Sequence, residues 1–144
     1  MSDNTLTITG NLAADPDLRF TQSGLAVASM TVMQTKRVKQ GDQWVDADTN
    51  GVQVTAWRAL AENIAESLGK GDLVTVTGTL DPRNWVDRNT GDKRYGWEIN
   101  ATDVAVSLRY ATAKPVKVNR SQNLQKAPSP QGEEWNSSYD RPPF

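Results

Sequence analysis

Apolar and polar residues alternate with a period of two through most of residues 5–106, and each such run predicts a half-buried strand. In Thr5-Leu6-Thr7-Ile8-Thr9, Leu6 and Ile8 share one face and the threonines take the other. From Leu25 to Met33, the residues Ala26, Ala28, Met30 and Val32 fall on one side. Val52, Val54 and Ala56 do the same in the next run, which leaves Trp57 pointing the opposite way. Leu73 to Leu80 sets Val74, Val76 and Leu80 against Thr75, Thr77 and Thr79. A last run begins with Trp97, Ile99 and Ala101 in phase and resumes with Val104 and Val106 out of phase. That slip predicts a bulge near Asp103, and the phase assigns Trp97 to the core.

One stretch changes period. Leu60, Ile64 and Leu68, flanked by Ala61 and Ala65, form a stripe at helical spacing, with Glu62 and Glu66 opposite and Gly69 as a C-terminal stop. Three strands, a short helix and two more strands predict an all-β domain. The expected architecture is a five-stranded OB-fold barrel with its one helix between strands three and four. Two polar excursions, Lys36 to Asn50 around Gly41-Asp42 and Trp85 to Tyr95 around Asn89-Thr90-Gly91, predict long hairpins reaching away from the barrel. From Lys114 onward Pro, Ser, Gln, Asn and Lys replace the alternation. The expected organisation is a folded domain over 1–113 and a disordered tail over 114–144.

Composition narrows the chemistry. The chain has no cysteine and no histidine. Thiol nucleophiles, disulfides, imidazole acid–base catalysis and the usual zinc sites are therefore not available to it. Asp15-Pro16-Asp17 pairs two carboxylates, but Pro16 makes it a turn. Gly69-Lys70-Gly71 lacks the upstream glycine and the following Ser or Thr of a phosphate loop. The expectation is a protein without enzymatic activity and without cofactor or metal. Met1-Ser2-Asp3-Asn4 is polar and no apolar run approaches membrane-spanning length, so a cytoplasmic protein with no membrane partner is expected. Through Ala113 there are 11 Lys and Arg against 14 Asp and Glu, a net of −3. A polyanionic partner would thus need cations gathered on one face.

Aromatic and cationic residues do coincide where exposure is expected. Trp44 follows Lys36, Arg37 and Lys39; Trp57 directly precedes Arg58; Trp85 lies between Arg83 and Arg88, and Lys93-Arg94-Tyr95 closes the same hairpin. Unpaired bases stack on indoles while Lys and Arg follow the phosphates, which gives sequence-tolerant, salt-weakened binding. A tryptophan in a small β-domain is more often core than platform. The period decides for Trp57 and Trp85 as platforms, and leaves Trp44 open between the two roles.

The ordered set Gly10-Asn11-Leu12, Asp15-Pro16-Asp17-Leu18-Arg19-Phe20, Gly24-Leu25-Ala26-Val27-Ala28, Leu60-Ala61-Glu62, Gly69-Lys70-Gly71 and Arg83-Asn84-Trp85 followed by Arg94-Tyr95 resembles the bacterial single-stranded DNA-binding protein family. Ser107 to Lys114 further resembles the extension of actinobacterial members, where an added strand ties subunits together. The resemblance implies an OB-fold homotetramer that protects single-stranded DNA in replication, recombination and repair and is nucleoid-associated. By position it carries stacking to Trp57 and Trp85, and cationic contacts to Arg19, Lys70 and Arg83. Two platforms depart from the pattern: Asn50-Gly51 stands where a stacking tryptophan is usual, and Arg37-Val38 replaces another aromatic. Weaker affinity per nucleotide, or a shorter or altered wrapping path, is the expectation, as is a specialised, mobile-element or second-copy member rather than the housekeeping one. The resemblance also assigns the C-terminal tip, Asp140, Pro142, Pro143 and Phe144, to recruitment of DNA-processing proteins, with Arg141 weakening its acidic character. The rival readings are an OB module for structured RNA and a primosome-type protein adaptor.

Overall fold

The computed structural model describes residues 3–118. The tip residues Asp140, Pro142, Pro143 and Phe144 lie outside the described residues. Six strands and one helix follow in the order β1 (Thr5–Leu12), β2 (Asp17–Phe20), β3 (Ala26–Gln40), β4 (Gln43–Trp57), α1 (Arg58–Ser67), β5 (Leu73–Val86) and β6 (Lys93–Val106). The helix falls after the β3–β4 hairpin, as its sequence spacing demands. The strand count is one higher than the alternation implies, because Asp17–Phe20 pairs with Ala26–Ser29 of β3. Four residues are too short a run to show a period.

The sheet order is β1-β5-β6-β4-β3-β2, and β1 returns to pair with β3 at Asn11↔Met33 and Leu12↔Val32. A two-residue seam closes the sheet, so it is less than a fully closed barrel. The interior is filled by the even-numbered side of β3 (Ala26, Ala28, Met30, Val32), by Val54 and Ala56 of β4, Val74 and Val76 of β5, and Ile99 and Ala101 of β6. Burying a side chain such as Ile99 contributes about 1.5–3 kcal/mol. Among the described residues no polar or charged residue is buried.

Ala61 and Ile64 are the buried face of α1, which joins the same core as the strands. The helix stops at Leu68, which is extended, and its amide still donates to the Ile64 carbonyl. Gly69 is thus not the left-handed stop expected; that backbone occurs two residues later, at Gly71 with φ 92°. Gly69 serves by lacking a Cβ instead, since one would meet Asp15 Oδ1 at 3.3 Å.

The two excursions are continuations of barrel strands. The β3–β4 arm turns at Gly41 (φ 64°) and the β5–β6 arm closes through Gly91 (φ 75°). The slip near Asp103 is present: Thr77 pairs with Asp103 and Gly78 with Ala101, leaving Thr102 as the extra residue. Ser107 to Lys114 forms no strand in the single chain. Only the Ser107 amide joins the sheet, donating to the Leu73 carbonyl at 2.9 Å.

Candidate nucleic-acid interface

Because the even positions of β3, β4 and β5 and Ile99 and Ala101 of β6 point inward, their neighbours in sequence point out. Directly paired residues share a face. Arg19 of β2 pairs with Val27 of β3, and Val27 pairs with Trp57 of β4, so the three form a row on the outer side. Trp57 keeps an extended backbone (φ −128°, ψ 156°) and is 41% exposed. Arg58 then swings the chain into α1 with φ 59°, the left-handed region that a non-glycine residue rarely adopts. Arg19 is held by Asp17 at 3.1 Å.

The second cluster occupies the β5–β6 arm on the same outer side. Arg83 pairs with Gly96 and Trp85 with Arg94, so Arg83, Trp85 and Arg94 project on the face that Gly96 leaves bare. The Trp85 indole, 40% exposed, lies against Gly96, and the Arg83 guanidinium carbon is 4.7 Å from its centroid. Arg83 also approaches Glu98 at 3.7 Å, and the Thr55 hydroxyl donates to the same Glu98 oxygen at 3.4 Å. Thr55 stands two residues before Trp57 on one face of β4. A continuous line of neighbours, Trp57, Thr55, Glu98, Arg83 and Trp85, therefore joins the two indoles along the outside of the sheet.

At the arm's end Arg94 contacts Asp87 at 3.1 Å. The Asn89 backbone amide, first, and then the Arg94 guanidinium hold the Asp87 carboxyl below its ordinary value. Arg88 is exposed beside that turn.

Other expected site residues are placed elsewhere. Trp44, 59% exposed, is on the β3–β4 arm opposite Lys39, so its open assignment resolves to a surface position. Arg37 pairs with Asp46 at 3.2 Å and donates to the Trp44 carbonyl. Lys36 borders a shallow recess with Gln34, Thr35, Asp48 and Asn50. Lys70 lies on the turn after α1, its amide donating to Asp15 Oδ1 at 2.8 Å. Lys93 is on the far side of the β5–β6 arm from Trp85, with its ammonium 5.8 Å from the Tyr95 centroid.

Trp97 corrects the sequence reading. It is in phase with Ile99 and Ala101, yet 62% exposed, and Tyr95 beyond it is 71% exposed. The strand outruns the barrel: the inward side at Ile99 has a core to enter, but at Trp97, opposite Pro82, the arm has already left it. Gly96, Glu98 and Thr55 were not singled out from sequence. Thr55 stands two residues before Trp57 on β4, and Gly96 and Glu98 stand two and four residues after Arg94 on β6; that even spacing is the signal that would have found them.

A model of the family described as "Single-strand binding protein family" matches residues 3–107. The chain belongs to that family. It is 47% identical over 121 residues to the single-stranded DNA-binding protein of Mycolicibacterium smegmatis, covering 83% of this chain and 73% of that protein. A protein of the same name from Paenarthrobacter aurescens is 42% identical over 123 residues, covering 84% of this chain and 71% of that one. Among solved structures, the small single-stranded DNA-binding protein from Streptomyces coelicolor matches with a TM-score of 0.63 at 32% identity, covering 75% of this chain and 97% of that one. The resemblance drawn from the sequence motifs is borne out by these matches, its actinobacterial character included.

Proposed function

We propose that this protein binds and protects single-stranded DNA without regard to base sequence, in replication, recombination and repair. The observation that carries the proposal is the outer line Trp57–Thr55–Glu98–Arg83–Trp85, with Arg19 beside one indole and Arg94 beside the other. Ring faces take bases at roughly 1–3 kcal/mol each and the cations take phosphates. Arg58 and Arg88 extend the cationic contacts at the two ends of this line; Trp44, Lys36 and Arg37 supply a second patch on the β3–β4 arm, Lys70 a contact on the turn after α1, and Lys93 one on the far side of the β5–β6 arm. No chemical step is part of this role.

Residues 1–113 carry DNA binding and assembly. The β1 edge from Thr5 to Gly10 has no strand beside it opposite β5 among the described residues, apart from the Gln34 amide on the Thr9 carbonyl. That edge is free to pair with its copy across a two-fold axis, which gives a dimer, and a second two-fold contact completes the proposed homotetramer. The segment 114–144 carries the tip Asp140, Pro142, Pro143 and Phe144, which recruits DNA-processing proteins. The protein works in the cytoplasm, on the nucleoid.

Titration with oligo(dT) of defined length, followed by tryptophan fluorescence at several salt concentrations, tests the proposal. Tight, salt-sensitive binding that Trp57→Ala and Trp85→Ala each weaken supports it. Preference for folded RNA, or indifference to both substitutions, overturns it. Deleting Pro142 to Phe144 should abolish capture of partner proteins and leave DNA affinity intact or raised.

A further inference from the structure

Glycine at position 96 has no conformational reason to be there. It lies inside β6 with a backbone outside the left-handed region, whereas Gly24, Gly41, Gly71 and Gly91 have positive φ. A glycine within a strand weakens it, so what it supplies must be room. That room is occupied: a Cβ at Gly96 would meet Cζ3 of Trp85 at 3.1 Å and Cη2 at 3.3 Å. The indole therefore lies down on the bare backbone of the neighbouring strand. Glu98, two residues on, is equally out of character, since a carboxylate in a polyanion track repels phosphate. It is placed against Arg83 at 3.7 Å and steadied by Thr55, while Arg83 lies 4.7 Å from the Trp85 centroid.

We propose that Gly96 and Glu98 are positioning residues of one nucleotide subsite on the β5–β6 arm. Gly96 seats the Trp85 indole, and Glu98 parks the Arg83 guanidinium over that ring until single-stranded DNA arrives. The base then takes the ring face and the guanidinium passes from Glu98 to a phosphate. The cation is preassembled beside the ring, so it meets the strand without a search through rotamers. The carboxylate sets the cost of releasing it. This inference rests on the DNA reading given above.

Double-mutant cycles on the full-length protein test it, with oligo(dT) affinity and ¹⁹F spectra of 5-fluorotryptophan as readouts; the chain carries five tryptophans, and Trp85→Phe assigns the relevant signal. Gly96→Val should shift the Trp85 signal and weaken binding about fivefold or more, the low end for one lost stacked base. Gly96→Ala is the milder variant and should move both readouts the same way by less. Both effects should vanish in a Trp85→Ala background. Glu98→Gln should tighten binding about two- to fivefold, the range of an exposed ion pair. That gain should vanish with Arg83→Gln. If Trp85→Ala itself leaves affinity unchanged, the DNA track is wrong. If Trp85→Ala weakens binding but Gly96→Val and Gly96→Ala do not, or they act equally without Trp85, the seat is wrong and the track stands. No tightening from Glu98→Gln, or tightening that persists without Arg83, overturns the parking role.

Discussion

Gly10 lies so close to the Met33 carbonyl, where β1 crosses β3, that no Cβ could be placed between them. The neighbouring pairs Asn11↔Met33 and Leu12↔Val32 form the seam that closes the sheet, extended by the Ala13 amide donating to the Thr31 carbonyl at 3.0 Å. Gly10→Ala must push that seam apart, because the obstacle is backbone and not a side chain that can turn aside. Overpacking of this kind costs about 1–3 kcal/mol, and here the upper end or beyond is expected. Urea unfolding measures it; a midpoint equal to wild type would show that the seam yields freely.

Trp97 and Ile99 share one side of β6, but only Ile99 has a core around it. Trp97→Ala should therefore cost no more than about 1 kcal/mol, whereas Ile99→Ala should cost about 2–5 kcal/mol. Thermal melts of the isolated protein make the comparison. A large loss for Trp97→Ala would mean that its ring is covered by something outside the single chain.

Arg58 holds a left-handed backbone at the turn from β4 into α1. That conformation costs a side-chain-bearing residue about 1–2 kcal/mol, and glycine escapes most of the cost while losing about 0.5–1 kcal/mol to unfolded-state entropy. Arg58→Gly is expected to leave stability unchanged or raise it by up to about 1 kcal/mol. Arg58→Val, β-branched, should destabilise. Chemical denaturation of the two variants separates them, and equal losses would remove the backbone explanation.

Asp87 closes the tip of the β5–β6 arm by accepting the Asn89 amide at 2.9 Å and pairing with Arg94. Its carboxyl is held below the ordinary value, so the folded state favours the charged form. The stabilisation is complete above the ordinary carboxylate range and is lost as pH falls through the lowered folded value. Asp87→Asn should accordingly speed amide exchange around Asn89 near neutral pH, and the difference from wild type should shrink as pH drops below about 4. A difference that holds constant into acid would point to shape and not charge.

The inward side of the barrel was legible because alternation reports burial wherever a strand has a core on one face. Val54, Ala56, Val74 and Val76 are buried as their period requires, and Trp57 is turned out for the same reason. Alternation carries no information about where along a strand the core ends, which is why the period alone places Trp97 inward. Nor does it reveal β2, whose four residues are fixed by pairing with β3 and not by any pattern of their own. The motifs brought Trp57, Trp85, Arg19 and Arg83 forward one at a time. What sequence could not supply was their adjacency, because the link between them passes through Glu98, whose neighbours Thr55 and Arg83 lie on other strands.

An apolar interior and a charged exterior respond to different agents. Among the described residues the core contains only apolar side chains, while Arg19, Arg83 and Arg94 all meet solvent. Concentrated salt screens the outer cations and, if anything, strengthens apolar burial. Ionic strength alone can then strip the guest from its host, and the emptied molecule is ready for another round without ever having come apart.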